Sequence, residues 1–411
     1  MKKILITILS GVVLSVGLTG CQSTDRIPVT PVPSIAESAE TSAPAETSGT
    51  SDSTQTEQPV QSADETAEPA GTAEAESAQE RRAAEILSGM TAAEKAGQVI
   101  LARYPGENAL SEALEYSLGG FVMFGADFKY AAPQTIAAGI AEIQSRAKLG
   151  MIFAADEEGG EVVRISKYPQ YRAEPFPAQS EVLAEGTEAV RGEAVEISAL
   201  MKSLGLNMNL APVCDLPRSR TDFIYGRAFS TDVDEVSQAV GAAVGGYSES
   251  GLLCALKHFP GYGNNLDTHT GISIDERSID EFEALDLKPF RAGIAAGAPV
   301  VMVSHNIVSC IDDSLPGSLS AKMYAFLREQ GFTGAALTDD LSMDAVEEYC
   351  GENEAAVTAL KAGADLLCCT DYVSAAKAVA AAVESGEIPR ERIDEAVTRV
   401  LMMKLEYGII E

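Results

Sequence analysis

The chain contains 411 residues, and its 61 acidic side chains against 30 lysines and arginines give a formal net charge of −31 at pH 7. Nucleic acids and anionic lipid surfaces bind basic patches, so this charge argues against both as partners. The seven cysteines and three histidines show no spacing typical of a metal site, and we expect neither a metal nor a cofactor.

The first twenty residues are predicted to be a signal peptide. Lys2 and Lys3 precede an apolar run over 4–18, which is too short to span a bilayer comfortably. Residues 18–21 read LTGC, which resembles a bacterial lipobox. We therefore expect Cys21 to carry a lipid that anchors the protein to the outer side of the cell membrane. An ordinary secretory signal with an incidental cysteine is the alternative.

Residues 21–80 are predicted to form a disordered linker. The segment is rich in Thr, Ser, Ala, Glu and Pro, and between 22 and 80 it carries twelve acidic side chains against one arginine. Such a composition buries too little apolar surface to offset the entropy lost on ordering. The linker would hold the rest of the chain away from the membrane, which the protein would contact only through its lipid.

Residues 81–411 alternate between short apolar runs and longer stretches of helical periodicity. The runs predict strands over 98–102, 120–124, 151–155, 206–212, 252–257, 299–304, 334–338 and 364–369. The stretches between them predict helices over 131–147, 180–204, 232–249, 279–296, 321–330 and 353–362. Strands that are apolar throughout indicate a parallel sheet buried on both faces. Eight repeats favour a single (β/α)₈ barrel of the TIM type, with an open doubly wound sheet as the alternative.

The cysteines of this body lie mostly in the strand-like runs, which favours buried free thiols over a disulfide framework. In a parallel barrel the active site forms at the C-terminal ends of the strands. Polar residues follow six of the predicted strands, at 156–158, 215, 257–258, 305–306, 339–340 and 370–371. For Asp215 and Asp371, a functional role and the role of a helix cap or solvated loop residue fit the sequence equally well. A Lys257-His258 pair has no capping role and is more typical of a functional site.

The three histidines, His258, His269 and His305, all lie in or near these segments. The location of all three histidines in this part of the chain favours a functional role, although a single histidine is more often structural. Asp267 stands two residues before His269, where a carboxylate can orient the imidazole and favour its protonated form. The glycine-rich segment at 261–265 would make the intervening loop flexible enough to bring this pair to a substrate.

Six segments of the body occur in a recognisable order. They read DEEGG at 156–160, APVCD at 211–215, GRAFS at 226–230, KHFPGYG at 257–263 followed by DTH at 267–269, TDDLSM at 338–343 and RIDEAV at 392–397. Together they closely resemble glycoside hydrolase family 3, and in particular its β-N-acetylhexosaminidase branch. The resemblance covers the whole body from about residue 81.

The resemblance implies a role for each matching residue. Asp339 would attack the anomeric carbon, and His269, steered by Asp267, would protonate the leaving oxygen and later activate water. Residues that would hold the sugar hydroxyls are Asp156, Arg227, Lys257 and His258. A carboxylate on one face of the sugar and a proton donor on the other suit a retaining hydrolase with a covalent intermediate.

The expected activity is release of terminal β-linked N-acetylhexosamine, with peptidoglycan fragments as substrates. We expect the enzyme to be a monomer. The family's β-glucosidases carry their acid/base in a second domain after the barrel, and this chain ends after the barrel. That feature and the Asp-x-His loop favour the N-acetylglucosaminidase branch over a glucosidase. A phosphorylase with the same residues is an alternative, because a neutral histidine repels incoming phosphate less than a carboxylate would. A sugar-binding lipoprotein is the non-enzyme alternative, although it would not need Asp339, Asp267 and His269 together.

The chain departs from the family pattern in the loop after the fifth predicted strand. Tyr262 stands where the family usually has histidine, Asn264 and Asn265 replace Asp-Thr, and Thr268 replaces serine. These changes concern the geometry of the loop and the leaving-group preference more than the type of reaction.

Overall fold

The computed structural model describes the backbone of residues 70–411 apart from 266, 267, 269, 270 and 348. It describes the side chains of 78–411 apart from those five positions and from 347 and 352. The predicted lipidation site, Cys21, and the predicted acid/base pair, Asp267 and His269, lie outside the described residues.

Within the described part of the chain, eight parallel strands form one sheet in which consecutive strands are neighbours. The strands are β1 (Ile100–Arg103), β2 (Gly120–Val122), β3 (Ile152–Ala155), β4 (Met208–Asn209), β5 (Leu253–Phe259), β6 (Val300–Val303), β7 (Ala335–Thr338) and β8 (Leu367–Cys369). β8 pairs with β1, and β7 joins the start of β8 at the Leu337–Leu366 bridge. The sheet is therefore closed. The predicted (β/α)₈ barrel is confirmed, and the open doubly wound sheet is excluded because that fold leaves two edge strands unpaired.

Helices cover the outside of the barrel. Among the described residues they are Ala70–Ser88, Ala92–Gln98, Ala109–Tyr116, Gly125–Phe128, Pro133–Arg146, Gln179–Leu183, Thr187–Ser203, Val233–Glu249, Ile279–Glu281, Leu287–Ala295, Ala321–Glu329, Asp344–Glu347, Glu352–Ala362, Tyr372–Ser385 and Arg390–Glu406. None of these described helices combines the length and the apolar composition that crossing a bilayer requires.

Two predicted helices are interrupted. The helix expected over 180–204 is split because Gly186, at φ +106°, takes a backbone conformation outside the helical range before Thr187–Ser203 begins. The helix expected over 279–296 contains a wider π-helical turn, Phe282–Asp286. Pro289 follows this turn and has no N–H to donate to it, so a regular α-helical ladder cannot run through the segment.

The apolar strands divide their side chains between two cores. Leu101 and Leu253 point into the barrel interior, whereas Ile100 and Leu256 pack outward against the helices. Each such side chain is fully buried and contributes about 1.5–3 kcal/mol to the free energy of folding. Burial on both faces explains why the strands are apolar throughout instead of alternating.

The helix Ala70–Ser88 crosses the predicted boundary between linker and catalytic domain at residue 81. Its second half is part of the folded body: Ala83 is buried, and Arg82 Nε donates to the backbone oxygen of Glu411 at 2.9 Å. The exact position of the boundary stays a prediction.

Helix Thr187–Ser203 carries a partly buried carboxyl group, Glu193, whose Oε1 has no hydrogen-bond partner among the described residues. Burial raises the pKa of Glu193 from 4.5 to about 8, although the Arg172 charge lowers it. The folded state thus keeps a proton that the unfolded chain loses above pH 4.5. The contribution of Glu193 to the free energy of unfolding is complete below pH 4.5 and is lost as the pH rises through about 8.

We expect Glu193→Gln, which resembles the protonated group, to flatten the pH dependence of the unfolding free energy between pH 5 and 9. Urea titrations at several pH values measure this slope. Glu188→Gln is the matched control, because Glu188 is exposed on the same helix and its removal should leave the slope unchanged. Equal slopes for wild type and Glu193→Gln would contradict the assignment.

Candidate active site

A cavity of about 450 Å³ opens at the C-terminal ends of the strands. Seven of the eight barrel strands, or the residues directly after them, contribute to its wall: Val122, Asp156, Leu210, Lys257, Met302, Asp339 and Cys368. The predicted nucleophile and the four predicted sugar-binding residues, Asp156, Arg227, Lys257 and His258, line this one cavity. The structure thus brings together five of the seven residues predicted to bind sugar or take part in the reaction.

A tight turn after β3 brings two carboxylates to the cavity. The segment Glu157–Gly159 pairs with Val162–Val163 in a short antiparallel hairpin. Gly159, at φ +91°, lies so close to the Pro177 carbonyl that a Cβ atom would come within 2.1 Å of its oxygen. Only glycine fits there. As a result Asp156 and Glu158 line the cavity, while Glu157 between them does not.

Glu157 holds the turn from the other side. Its buried carboxylate accepts the backbone N–H groups of Arg164, Ile165 and Ser166 at 2.8–3.0 Å. Asn209 at the end of β4 adds a hydrogen bond from its Nδ2 to the Glu157 backbone oxygen at 3.0 Å. The turn is thereby fixed to the barrel by bonds that do not use the cavity-facing carboxylates.

Lys257 is the centre of a buried network of charges. Its Nζ lies 2.8 Å from Asp156 Oδ1 and 2.6 Å from Glu158 Oε1, and only 2% of the residue is exposed. Arg227 makes a two-pronged pair with Glu158, with Nε to Oε2 at 2.9 Å and Nη2 to Oε1 at 2.7 Å. Arg164 contacts Asp156 Oδ2 at 3.3 Å. Every charge in the network faces an opposite charge.

These pairs keep the network ionised. Burial by itself would raise the pKa of Asp156, but the charges of Lys257 and Arg164 outweigh it and hold that pKa well below its usual range. Burial would also raise the pKa of Glu158, but the charges of Lys257 and Arg227 hold it below its usual value. Burial would lower the pKa of Lys257, and the two carboxylates raise it instead. At neutral pH the cavity therefore presents fixed ionic donors and acceptors.

His258 is oriented by Asp215. Its Nδ1 lies 2.7 Å from Asp215 Oδ2, so Nδ1 donates, and Nε2 faces Arg227 Nη2 at 3.3 Å. Asp215 is fully buried and also accepts the backbone N–H of His258 at 3.2 Å and that of Tyr262 at 2.8 Å. Asp215 is therefore an organising residue, and not the cap or solvated loop residue that was its alternative.

Asp339 follows β7 directly. Its backbone N–H donates to the Val303 carbonyl at the end of β6 at 3.1 Å, and its Oδ1 accepts the Asp340 N–H at 2.9 Å. The third histidine, His305, supports this turn from behind: its Nε2 donates to the Asp340 carbonyl at 2.9 Å, and its Nδ1 lies 2.7 Å from Ser318 Oγ. His305 is fully buried and is not among the residues that line the cavity.

Comparison with known proteins identifies the family of the chain. The model of the family described as "Glycosyl hydrolase family 3 N terminal domain" matches residues 91–403, which is most of the chain. The chain belongs to glycosyl hydrolase family 3. The predictions of a family 3 glycoside hydrolase and of its β-hexosaminidase branch are confirmed.

Several β-hexosaminidases are similar to this family 3 enzyme. One from Stenotrophomonas maltophilia strain K279a is 33% identical over 259 residues, covering 61% of this chain and 76% of its own length. The β-hexosaminidase LpqI of Mycobacterium tuberculosis strain H37Rv is 30% identical over 315 residues, covering 72% of this chain and 78% of its own length.

Solved structures give the same result. A family 3 β-N-acetylglucosaminidase from Paenibacillus sp. strain FPU-7 superimposes with a TM-score of 0.73 at 31% identity. The match covers 78% of this chain, which spans 63% of the Paenibacillus chain. The structure of M. tuberculosis LpqI superimposes with a TM-score of 0.72 at 29% identity, covering 78% of this chain and 96% of that one.

Sequence reasoning assigned no role to three residues of the site in this family 3 enzyme. The DEEGG motif contains Glu158, but the sequence does not show which of Glu157 and Glu158 faces the cavity. Nothing in the sequence marks Arg164, because the hairpin brings it to its partner, Asp156. The sequence around Asp215 is compatible with both function and capping. Asp371 turns out to be a helix cap, since its side chain accepts the Ser374 N–H at 3.3 Å.

Proposed function

We propose that this family 3 hydrolase is a retaining exo-β-N-acetylglucosaminidase that removes terminal β-linked N-acetylglucosamine, with peptidoglycan fragments as natural substrates. The observation that carries the proposal is the position of one carboxylate, Asp339, in the same cavity as the ionic cluster of Asp156, Glu158, Lys257 and Arg227. The similar proteins are a β-hexosaminidase and a β-N-acetylglucosaminidase, which favours a hexosamine as the sugar.

In the first step the Asp339 carboxylate attacks the anomeric carbon. A bond forms between that carbon and an Asp339 oxygen while the bond to the leaving oxygen breaks, and the leaving oxygen takes a proton from His269. In the second step His269 takes a proton from water, the water oxygen attacks the same carbon, and Asp339 is released as a carboxylate. Two inversions retain the β configuration. The Asp339 charge stabilises the oxocarbenium-like transition state of each step.

The ionic cluster would bind the sugar through its hydroxyl groups. Because opposing charges keep Asp156 and Lys257 ionised, one can accept and the other can donate a strong hydrogen bond without any change of protonation. The cluster is ordered by its own contacts before a substrate arrives, which lowers the entropy cost of orienting the ring beside Asp339.

The acid/base role is proposed for His269 with Asp267 as its partner, on the sequence motif alone. An imidazole has a reference pKa of about 6.5, so it can give and take a proton near neutral pH without the burial a carboxylic acid would need. The neighbouring carboxylate would favour the protonated form required in the first step.

The location is also a proposal. We infer that the signal peptide 1–20 is removed, that Cys21 is lipidated and that the acidic linker holds the enzyme outside the membrane. The support is the LTGC motif and the composition of 22–80. Labelling of growing cells with a radioactive fatty acid should mark the wild type and not Cys21→Ala.

The activity is tested by incubating the purified protein with a β-N-acetylglucosaminide, with and without phosphate. We expect free N-acetylglucosamine in both cases. Sugar 1-phosphate as the main product with phosphate would replace hydrolysis by phosphorolysis. Turnover of a β-glucoside but not of the N-acetyl substrate would move the assignment to the glucosidase branch. Sugar binding without turnover of either would leave only a binding protein.

We expect His269→Ala to affect substrates according to their leaving group. A poor leaving group such as a sugar hydroxyl needs protonation, so kcat/KM on chitobiose should fall by about 10²-fold or more. An activated dinitrophenyl leaving group departs unprotonated, so kcat/KM for that substrate should fall far less. Parallel measurement of both substrates checks the difference. An equal loss on both would assign His269 to sugar binding or folding instead of proton transfer.

A further inference from the structure

Tyr262 connects the sugar-binding cluster to the segment that carries the proposed acid/base pair. It is 1% exposed, and its backbone N–H donates to Asp215 Oδ1 at 2.8 Å, the same carboxylate that orients His258. Its ring meets the His258 ring edge to face, with centroids 5.0 Å apart and planes at 78°. Phe223 packs against the ring at 4.9 Å and 82°. The ring is therefore held in one orientation by Phe223 and His258, of which His258 lines the cavity.

The Tyr262 hydroxyl reaches Thr268. The two hydroxyl oxygens are 2.6 Å apart, and Thr268 is fully buried. Buried hydroxyls without a partner cost stability, so this contact fixes the position of Thr268 relative to the Tyr262 ring. In the chain Thr268 stands between Asp267 and His269.

The two stems of the same segment are fixed by other residues. Arg277 Nη2 donates to the Gly261 carbonyl at 2.8 Å and to Asp275 Oδ2 at 2.6 Å, and Arg277 Nη1 pairs with buried Asp286 at 2.9 Å. Gly263, at φ +57°, packs so closely on Arg277 that a Cβ atom would come within 2.3 Å of Nη1. These contacts do not involve the Tyr262 hydroxyl, so the stems should survive its removal.

We propose that Tyr262 is a positioning residue that sets the acid/base group through Thr268. Its ring takes its orientation from His258 and Asp215, and its hydroxyl transmits that orientation to the residue preceding His269. The inference rests on the proposed function, because it assigns a purpose to Tyr262 only if His269 is the proton donor. It also gives a physical role to the tyrosine that this chain has at 262 in place of the family's usual histidine.

The test compares Tyr262→Phe, Thr268→Val and the double variant on two β-N-acetylglucosaminides, chitobiose and the dinitrophenyl glycoside. Each single variant should lower kcat/KM on chitobiose by about 10-fold or more, a fraction of what removing a general acid costs. The loss on the activated substrate should stay within about 3-fold, because that step does not use the acid. The double variant should lose no more than either single one, since both remove the same contact.

Tyr116→Phe is the matched control: it removes a tyrosine hydroxyl at the end of helix Ala109–Tyr116, which leads into the N-terminal end of β2, away from the cavity. Thr268→Ser, which keeps a hydroxyl, should lose less than Thr268→Val. Melting temperatures separate positioning from folding. Equal losses on the two substrates, or additive losses in the double variant, overturn the positioning role alone. A wild type with no turnover of either substrate overturns the proposed function and this role with it.

Discussion

We expect Asp339→Ala to abolish turnover while the protein stays folded. The side chain lies at the end of β7 in the wall of the cavity and is only partly buried, so its removal should leave the packed core of the barrel intact. Without the carboxylate no covalent intermediate can form and the developing positive charge is unopposed. Losses for catalytic nucleophiles are on the order of 10⁴–10⁶-fold in kcat. Steady-state assays with the dinitrophenyl substrate measure the loss, and circular dichroism checks the fold.

Asp371→Asn is the control for this variant. Asp371 also follows a barrel strand, but it caps the helix Tyr372–Ser385, and asparagine caps about as well as aspartate. Its variant should keep wild-type activity. Near-normal activity of Asp339→Ala would rule out the mechanism.

Two further measurements identify the attacking group. A slow fluorinated substrate should label the wild type on a peptide that contains Asp339. Azide supplied to Asp339→Ala should enter the empty space on the same face of the sugar, and the single inversion should yield the α-glycosyl azide. A β-configured product, or a label on Asp156, would place the nucleophile elsewhere.

The barrel could be predicted from the sequence because its signal is local. The strands are apolar, as at 252–256, and six of their C-terminal ends are marked by polar residues such as Lys257 or Asp339. The parallel arrangement then brings these ends to one face whatever the details of the connecting loops. Four proposed site residues, Asp156, Lys257, His258 and Asp339, share a cavity for that reason. Arg227 joins them from the long connection after β4.

The partners within the site could not be predicted, since they depend on the path of the loops. Nothing near Lys257 in the sequence shows that it contacts Asp156 and Glu158, which come from a hairpin about a hundred residues earlier. The same holds for His305, whose position at a strand end suggested function although its ring supports the Asp340 carbonyl. The break at Gly186 shows that a periodic pattern does not reveal where a single backbone angle departs from the helix.

The charge network suggests the second large effect, that of Lys257→Met. Methionine has a similar length and no charge, so the variant leaves Asp156 and Glu158 as neighbouring buried carboxylates without the cation between them. Breaking a buried ion pair from one side costs roughly 3–5 kcal/mol of folding free energy, because an unpaired charge remains in a poorly solvated place. Arg227 and Arg164 still face the two carboxylates, which should keep the variant folded at room temperature.

The matched control for Lys257→Met is Lys148→Met. Both lysines contact a glutamate at 2.6 Å, but the Lys148 side chain is 67% exposed and that of Lys257 only 2%. An exposed pair contributes roughly 0–1 kcal/mol, so urea unfolding should separate the two variants clearly. The loss in Lys257→Met should also shrink as the pH falls, because one of the two orphaned carboxylates can then take up a proton and end the repulsion. Equal, small losses for both variants would mean that the buried network is solvated in solution, and its proposed part in holding the sugar would fall with it.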